Sequence, residues 1–176
     1  MMASIPSFPK FPEPAPENDY LAMHIQLLRQ SLLHYAKQDL LAYFTVPLSD
    51  LTDAAIAQAI YEAPFVVVSH DTAPSPVFTY GNRAAQTLFE MNWTEFTSLP
   101  SAHSAEMPNR EERAQLLAEV NEHGFMSNYR GRRIAKSGRK FWIEQVTVWN
   151  LIDLTQPAAQ QYRGQAAVYS HWQPIA

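Results

Sequence analysis

From Phe78 to Pro100 the chain reads FTYGNRAAQTLFEMNWTEFTSLP, and this stretch decides the fold. It begins as a strand and turns sharply at Gly81-Asn82, where the asparagine side chain can accept the free N–H groups that start a helix. A short helix follows, then a second helical segment at Trp93–Phe96, and Leu99-Pro100 ends it. A strand followed by two short helices predicts that these helices pack beside a sheet and enclose a concave space.

The composition narrows the class of protein. The chain has 176 residues, 47% of them hydrophobic and 12% aromatic, so it can bury a core and is predicted to be globular. Its net charge of -4 argues against a general nucleic-acid binder, which needs positive charge to neutralise phosphates. The absence of cysteine excludes disulfides, thiolate metal ligands and cysteine nucleophiles, and it fits a reducing compartment.

The N-terminal region shows no sign of export or membrane insertion. It lacks the apolar segment of a signal peptide. The longest apolar run, near APFVVV, is too short to cross a bilayer. We therefore expect a cytoplasmic protein. Residues 1–18 contain five of the 13 prolines, and this composition predicts a disordered or extended tail.

An amphipathic helix is predicted from about Asp19 to Leu41. Its apolar residues recur at spacings of three and four, which is one stripe of a helix. Two alternatives are open for burying this stripe: packing on the protein's own sheet, or pairing with a second copy in a homodimer. The second alternative makes the stripe a partner-binding surface, formed by Leu21, Ile25, Leu28 and Leu32.

Further elements follow from local signals. A second helix is capped by Thr52 and ended by Pro64, and the strands PFVVVSHD and VFTY come next. Asn109, with Glu112 three residues later, is expected to cap a longer helix that Gly124 ends. Three strands complete the chain: FMSNYRGRRIA, KFWIEQVTVWNLI and YRGQAAVYSHW.

This order predicts an α+β fold with a five-stranded antiparallel sheet and helices on one face. The strands are too short and too closely linked for parallel crossovers. We expect three regions: a proline-rich tail at 1–18, an N-terminal helical extension at 19–62, and one folded domain at 63–173.

Several motifs resemble the PAS family of sensory domains. YGNRAAQTLF resembles its strand-to-helix step, NWTEF its small second helix, and IAKSGRKFWIEQV its glycine-turn hairpin. The details are more similar to the MEKHLA branch, a PAS-like domain found alone in bacteria and at the end of some plant transcription factors. The fragments that carry this likeness lie between Ala63 and Trp172: APFVVVSHD, YGNRAA, EFTSLPS, REERAQLLAEV, HGF and VWNL.

The resemblance implies a sensory or regulatory module without catalysis. In a PAS-like fold, the short helices and the longer helix form a wall over the sheet, and the space between them holds a small ligand or fills with side chains. The residues we expect to bind a ligand there are Tyr80, Asn82, Phe96, Tyr129, Trp142, Glu144 and Gln165.

Two cofactors of PAS proteins deserve comparison with the sequence. Flavin photosensors of this family form an adduct with a cysteine, which this chain lacks, so only plain flavin binding stays open. Gln165 and Asn150 are polar groups of the right type for it, or they are edge and turn residues. His123 is a weak haem candidate, with a cap at the helix end as the simpler alternative. No specific motif supports either cofactor, and no metal site is predicted.

Glu144 is the unusual residue of the strand FWIEQVTVW. Regular alternation places Trp142, Glu144, Val146 and Val148 on one face of the strand. If that face is buried, Glu144 needs a donor such as Tyr80, Tyr129 or Arg130. The alternative is a carboxylate on the open face of the sheet, paired with an arginine of the hairpin.

One hairpin carries much of the positive charge. Six of the 13 basic residues lie there, and the cluster either steers an acidic partner or anion or is a solvated hairpin that protects the sheet edge. Three of its arginines are predicted to bind a partner: Arg130, Arg132 and Arg133.

We expect no enzymatic site. His70 and Asp71 are adjacent on a strand, so their side chains point to opposite faces and do not form a catalytic dyad. The leading interpretation is a PAS-like sensory module that binds a small ligand and signals through protein association. The alternatives are a ligand-free interaction or dimerisation module and, third, a small-pocket enzyme of related α+β fold.

Overall fold

A computed structural model describes residues 10–48, 50–105 and 110–175 of the chain. The α-helices within these ranges are α1 (Ala22–Ala36), α2 (Asp53–Tyr61), α3 (Arg83–Phe89), α4 (Trp93–Phe96) and α5 (Arg110–His123). The strands are β1 (Val66–His70), β2 (Phe78–Gly81), β3 (Phe125–Ile134), β4 (Lys140–Ile152), β5 (Tyr162–Tyr169) and β6 (His171–Pro174). Among the described residues, no helix has the length and apolar character needed to span a membrane.

The strands form one antiparallel sheet in the order β2-β1-β5-β4-β3. β5 pairs with the second half of β4 and β6 with the first half. β5 and β6 therefore form one long strand that is interrupted at Ser170. Counted in this way, the sheet has five strands. This architecture confirms the predicted fold class.

Helices cover both faces of this sheet. α3, α4 and α5 pack on the face that presents Val66, Phe141 and Val148. α1 and α2 pack on the opposite face, which presents Val67 and Trp149. The N-terminal helices thus add a second helical layer to the predicted sheet-and-helix core.

The apolar stripe of α1 packs on the protein's own sheet. Ile25, Leu28 and Leu32 are at most 1% exposed, and each such burial stabilises the fold by roughly 1.5–3 kcal/mol. The Trp149 indole N–H donates to the Leu28 carbonyl at 3.1 Å. Of the two alternatives for the stripe, the structure shows the first: these three side chains do not offer a surface to a second chain. Leu21, at the start of the helix, is half-buried against the same core.

The segment before α1 is also held against the protein. The Trp93 indole N–H donates to the Phe11 carbonyl at 3.1 Å, and the Tyr61 hydroxyl donates to Glu13 at 3.1 Å. Residues 1–9 of the predicted tail lie outside the described residues. The division into a tail, an extension and a domain stays a prediction.

Local capping signals place the helices. Thr52 and Asn82 accept backbone N–H groups of Ala55 and Ala85, at 3.2 Å each. Asn109, the expected cap of α5, lies outside the described residues. Gly124 follows α5 with φ 92°, a left-handed conformation that glycine adopts without strain.

β4 does not alternate regularly, because it contains a bulge at Gln145. This residue has φ 52° and is exposed, so the strand changes phase there. Phe141 and Ile143 therefore share a face with Val146 and Val148. The predicted alternation, which put Val146 and Val148 on the face of Glu144, is wrong for this reason.

Candidate functional site

A small cavity lies between α5 and the sheet. Its volume is about 60 Å³, which is room for a few water molecules. Apolar side chains form much of its wall, and a histidine, two arginines and a few other polar groups interrupt them. The residues that matter below are His70, Ser104, Arg113, Tyr129, Arg133 and Gln165.

Arg113 brings a positive charge to the cavity from α5. Its residue is 8% exposed, and its guanidinium donates to the Ser101 hydroxyl at 2.7 Å. Burial lowers the pKa of Arg113 to about 10, and the charge of Arg133 contributes in the same direction. Among the described residues, no carboxylate forms an ion pair with it.

Arg133 brings a second charge from β3. It is 9% exposed and donates to the Arg132 carbonyl at 2.7 Å, while its guanidinium lies 5.8 Å from the Tyr129 ring centre. Gly131 leaves the room for this packing, because a Cβ there would lie 2.4 Å from the Tyr129 hydroxyl and 2.9 Å from Arg133 Nη1. The absence of a side chain at Gly131 therefore leaves space for Arg133 and Tyr129 in the cavity wall.

His70 ends β1 at the same cavity. Its Nδ1 lies 2.8 Å from the Asp71 carbonyl, so that nitrogen carries the proton and donates. Nε2 is buried and has no hydrogen-bond partner. Burial lowers the pKa of His70 and the charge of Arg113 adds to this shift, whereas the carbonyl and the carboxylate of Asp71 and the side chain of Gln165 oppose it. The ring is therefore neutral and presents an unused lone pair.

Two amides lie next to His70 in the sheet: Gln165 is its partner across β1 and β5, and Asn150 is the partner of Gln165 across β5 and β4. The Gln165 amide donates to Asn150 at 3.0 Å and to the Leu117 carbonyl at 3.1 Å. The Asn150 amide donates to the Val120 carbonyl at 3.1 Å. These bonds connect α5 to β4 and β5, so both amide N–H groups are used by the scaffold.

Asn82 is also a scaffold residue. Its oxygen accepts the N–H groups of Val67 and Ala85, and its amide donates to the Ile60 and Phe65 carbonyls, all between 2.8 and 3.2 Å. The side chain is fully buried. It thereby joins α2, β1 and α3, and none of its bonding groups is left for a ligand.

The predicted ligand-binding residues are distributed over three places. Tyr129 and Gln165 line the cavity. Phe96 is buried nearby and stacks on Phe78, with ring centres 4.3 Å apart. Tyr80 belongs to the core beneath α1 and α2, and its buried hydroxyl has no hydrogen-bond partner.

Trp142 and Glu144 lie on the other face of the sheet. The Arg130 guanidinium is 3.7 Å from the Trp142 ring centre and that of Arg132 is 5.0 Å away. Glu144 accepts from Arg130 at 3.0 Å and from Gln173 at 3.1 Å, and Arg130 lowers the pKa of its carboxyl. This is the second alternative for Glu144, a carboxylate paired with a hairpin arginine.

The basic cluster of the hairpin is divided. Arg130 and Arg132 lie on the face with Trp142, whereas Arg133 is in the cavity wall. Lys136 pairs with Glu95. Arg139 donates to Glu90 at 3.3 Å. Of the three arginines predicted to bind a partner, two are therefore placed at a surface.

The cofactors considered from the sequence do not match the cavity. A volume of about 60 Å³ is well below the roughly 300–1,000 Å³ of pockets for drug-sized ligands, so a flavin does not fit. His123 is exposed at the end of α5 and is not part of the cavity wall. Within the described ranges, no group of three or more potential metal-ligating side chains is found.

Arg113 and the role of His70 were not predicted from the sequence. One signal was available for Arg113: it lies three and seven residues before Leu116 and Val120, so a charged residue continues the apolar stripe of α5. His70 gave a weaker signal, as a polar residue at the end of a buried strand.

Comparison with known proteins gives a family and a fold. Residues 22–174 match the MEKHLA domain, a range that begins 41 residues before the fragments that carried the resemblance. No curated protein matches the chain in sequence.

Three solved structures illustrate the likeness. A PAS domain from Colwellia psychrerythraea has 16% identity and a TM-score of 0.55, over 69% of this chain and 94% of that one. An RNA-binding light-oxygen-voltage receptor has 15% identity and a TM-score of 0.56, over 74% of this chain and 35% of the receptor. A fungal light-oxygen-voltage photoreceptor has 14% identity and a TM-score of 0.51, over 84% and 91%. At these identities the likeness concerns the fold alone.

Proposed function

The chain belongs to the MEKHLA domain family and has a PAS-like fold, and from this premise we propose that it is a non-catalytic sensory or regulatory module. In this proposal a small ligand binds in the cavity between α5 and the sheet, and the protein signals by associating with a partner. Its class supports the proposal, because PAS-type sensory domains are generally non-catalytic and often mediate protein interactions.

The observation that carries the proposal is the convergence of unused polar groups in the cavity. Buried polar groups are normally hydrogen-bonded, and exceptions need an explanation. Here Nε2 of His70 has no partner, and Arg113 and Arg133 have no acidic partner in the described part of the chain. A ligand that pairs with these groups explains why they are tolerated in the core.

β1 offers a path from the cavity to the N-terminal helix. His70 faces the cavity, and its neighbour Ser69 points to the opposite face, where its hydroxyl lies 2.9 Å from His24 Nε2. Ser69 also contacts Thr79 at 2.8 Å. We propose that a bound ligand displaces the end of β1. The displacement would move His24 and thereby α1, which would transmit the signal to a partner or a second copy in the cytoplasm.

A second candidate function is a ligand-free interaction module, and one observation favours it. The guanidiniums of Arg130 and Arg132 lie 3.7 and 5.0 Å from the Trp142 ring centre on a sheet face, and tryptophan and arginine are enriched at the centres of protein interfaces. In this alternative the cavity is a packing defect, and the surface around Trp142 binds an acidic partner or a second copy.

Native mass spectrometry of protein purified from its own host separates the two candidates. The first predicts a small-molecule adduct that is lost on denaturation. A chain without a small-molecule adduct, found as a dimer or with a bound protein, would contradict the ligand-binding module and support the ligand-free interaction module.

A further inference from the structure

We propose that the cavity between α5 and the sheet binds a short aliphatic carboxylate, held by Arg113 and Arg133 and by a bond to His70. This inference rests on the proposed function and specifies its ligand. It follows from the charge, the hydrogen-bonding groups and the size of the cavity.

The charge of the cavity selects an anion. Arg113 and Arg133 are both at least 91% buried, and burying a charge is costly unless it is paired. Their bonds go to a hydroxyl and a carbonyl, at 2.7 Å each, which leaves both positive charges unneutralised by the described residues. Of the described wall, His70, Tyr129 and Tyr169 are the other titratable residues, and neither an imidazole nor a phenol supplies the negative charge that balances a guanidinium.

The shape of the donors selects a carboxylate. A guanidinium is a planar fork of N–H donors, and a carboxylate matches it with two parallel hydrogen bonds. Two guanidiniums on one cavity can engage both oxygens of a single carboxylate. Arg113 comes from α5 and Arg133 from β3, so the bound anion would connect the helix to the sheet.

The remaining wall selects a short aliphatic chain. Phosphate and sulfate carry oxygen on every side, whereas much of this wall is apolar, including Phe89, Leu116 and Ile143. An alkyl group fits against such a surface and oxygen atoms do not. A volume of about 60 Å³ accommodates roughly four to six water-sized groups, which is the size of acetate or propionate.

His70 adds one further interaction. Its Nε2 is unpartnered, and the ring is held by its Nδ1 bond to the Asp71 carbonyl. A carboxylate near this ring favours the imidazolium, whose Nε2–H then donates to the anion. Among the described residues of the cavity, Nε2 is the buried side-chain atom without a partner, and the proton taken up on binding would allow it to donate.

The test measures propionate binding by calorimetry and thermal unfolding, with propionamide as an uncharged ligand of the same shape. Sodium chloride at the same ionic strength controls for salt. We expect saturable propionate binding that raises the unfolding temperature, and no such effect of chloride. Arg113→Met should weaken propionate binding by about tenfold or more, because a charge-assisted bond is lost. Arg110→Met, on the same helix and outside the cavity, is the matched control and should bind as the parent does.

Three other results would overturn the inference. Equal binding of propionamide and propionate would retain the cavity as a ligand site and reject the anion. Equal loss of binding in both methionine variants would reject the assignment to Arg113. No binding of either probe, together with a ligand of another class in the native mass spectrum, would reject the carboxylate and leave the sensory proposal intact.

Discussion

On one face of the sheet, α1 and α2 cover a core whose amides, indole and serine hydroxyl are paired. On the other face, α5 covers a cavity with two arginines that no described carboxylate neutralises. The Ser31 hydroxyl accepts the Ile152 N–H at 2.9 Å, and Trp149 donates to Leu28. Only Tyr80 on that first face retains a buried polar atom without a partner in the described part of the chain. With the exception of Tyr80, the paired polar groups belong to the scaffold, and the unpaired His70 nitrogen lies at the proposed site.

The substitution with the greatest predicted loss of stability lies in α1. Leu28→Ala should lower the free energy of unfolding by about 2–5 kcal/mol, because it leaves a cavity under a fully buried side chain. Leu33→Ala on the same helix is the control: that side chain is 51% exposed, and its loss should cost less than about 0.5 kcal/mol. Urea denaturation measures both. Equal, small effects would show that α1 does not belong to the core.

The second prediction tests the polar scaffold at Asn82. Asn82→Ala removes four hydrogen bonds and leaves their backbone partners buried, so it should cost roughly 3 kcal/mol. Asn92→Ala removes an exposed helix cap and should cost about 1 kcal/mol. A cost at Asn82 no larger than at Asn92 would contradict its role as the junction of α2, β1 and α3.

These scaffold residues are the part that the sequence predicted well. Thr52, Gly124 and the cap that Asn82 gives to α3 depend on local bonds and local backbone geometry, which a short stretch of sequence specifies. The other bonds of Asn82 reach residues 15 to 22 positions away and were not predicted. The bulge at Gln145 could not be predicted, because a positive φ at glutamine has no sequence signal. His70 and Arg113 were missed because their environment is created by elements far apart in the chain.

The third prediction is that the free energy of unfolding depends on pH through His24, a histidine of α1. Burial lowers the pKa of His24 to about 4, from 6.5. Its ring is packed between Phe11 and Tyr80 and bonded to Ser69. In this interval His24 is protonated in the unfolded chain and neutral in the folded chain. The free energy of unfolding therefore decreases as the pH falls from 6.5 towards 4.

Between pH 6.5 and 4.5 this loss should be about 1–2 kcal/mol, because the folded chain does not protonate this ring until the pH approaches 4. His24→Gln should flatten the pH profile of urea denaturation over that interval. His34, an exposed histidine of the same helix, provides the control variant His34→Gln. An unchanged slope in the His24 variant would refute the assignment.

The smallest effect is expected in the cavity. Arg113→Met removes a buried charge that no described carboxylate balances, so in ligand-free protein it should raise the free energy of unfolding by about 1 kcal/mol. Arg110→Met should change it by less than about 0.5 kcal/mol. A destabilisation of several kcal/mol by Arg113→Met would mean that the protein itself neutralises this arginine.

The positive charge of the α5 cavity is the basis of the proposed ligand site. A high-resolution crystal structure of protein purified from its own host tests it directly. We expect density for a small carboxylate in contact with Arg113 and Arg133. An aspartate or glutamate of the chain bonded to either guanidinium, with no bound anion, would contradict it.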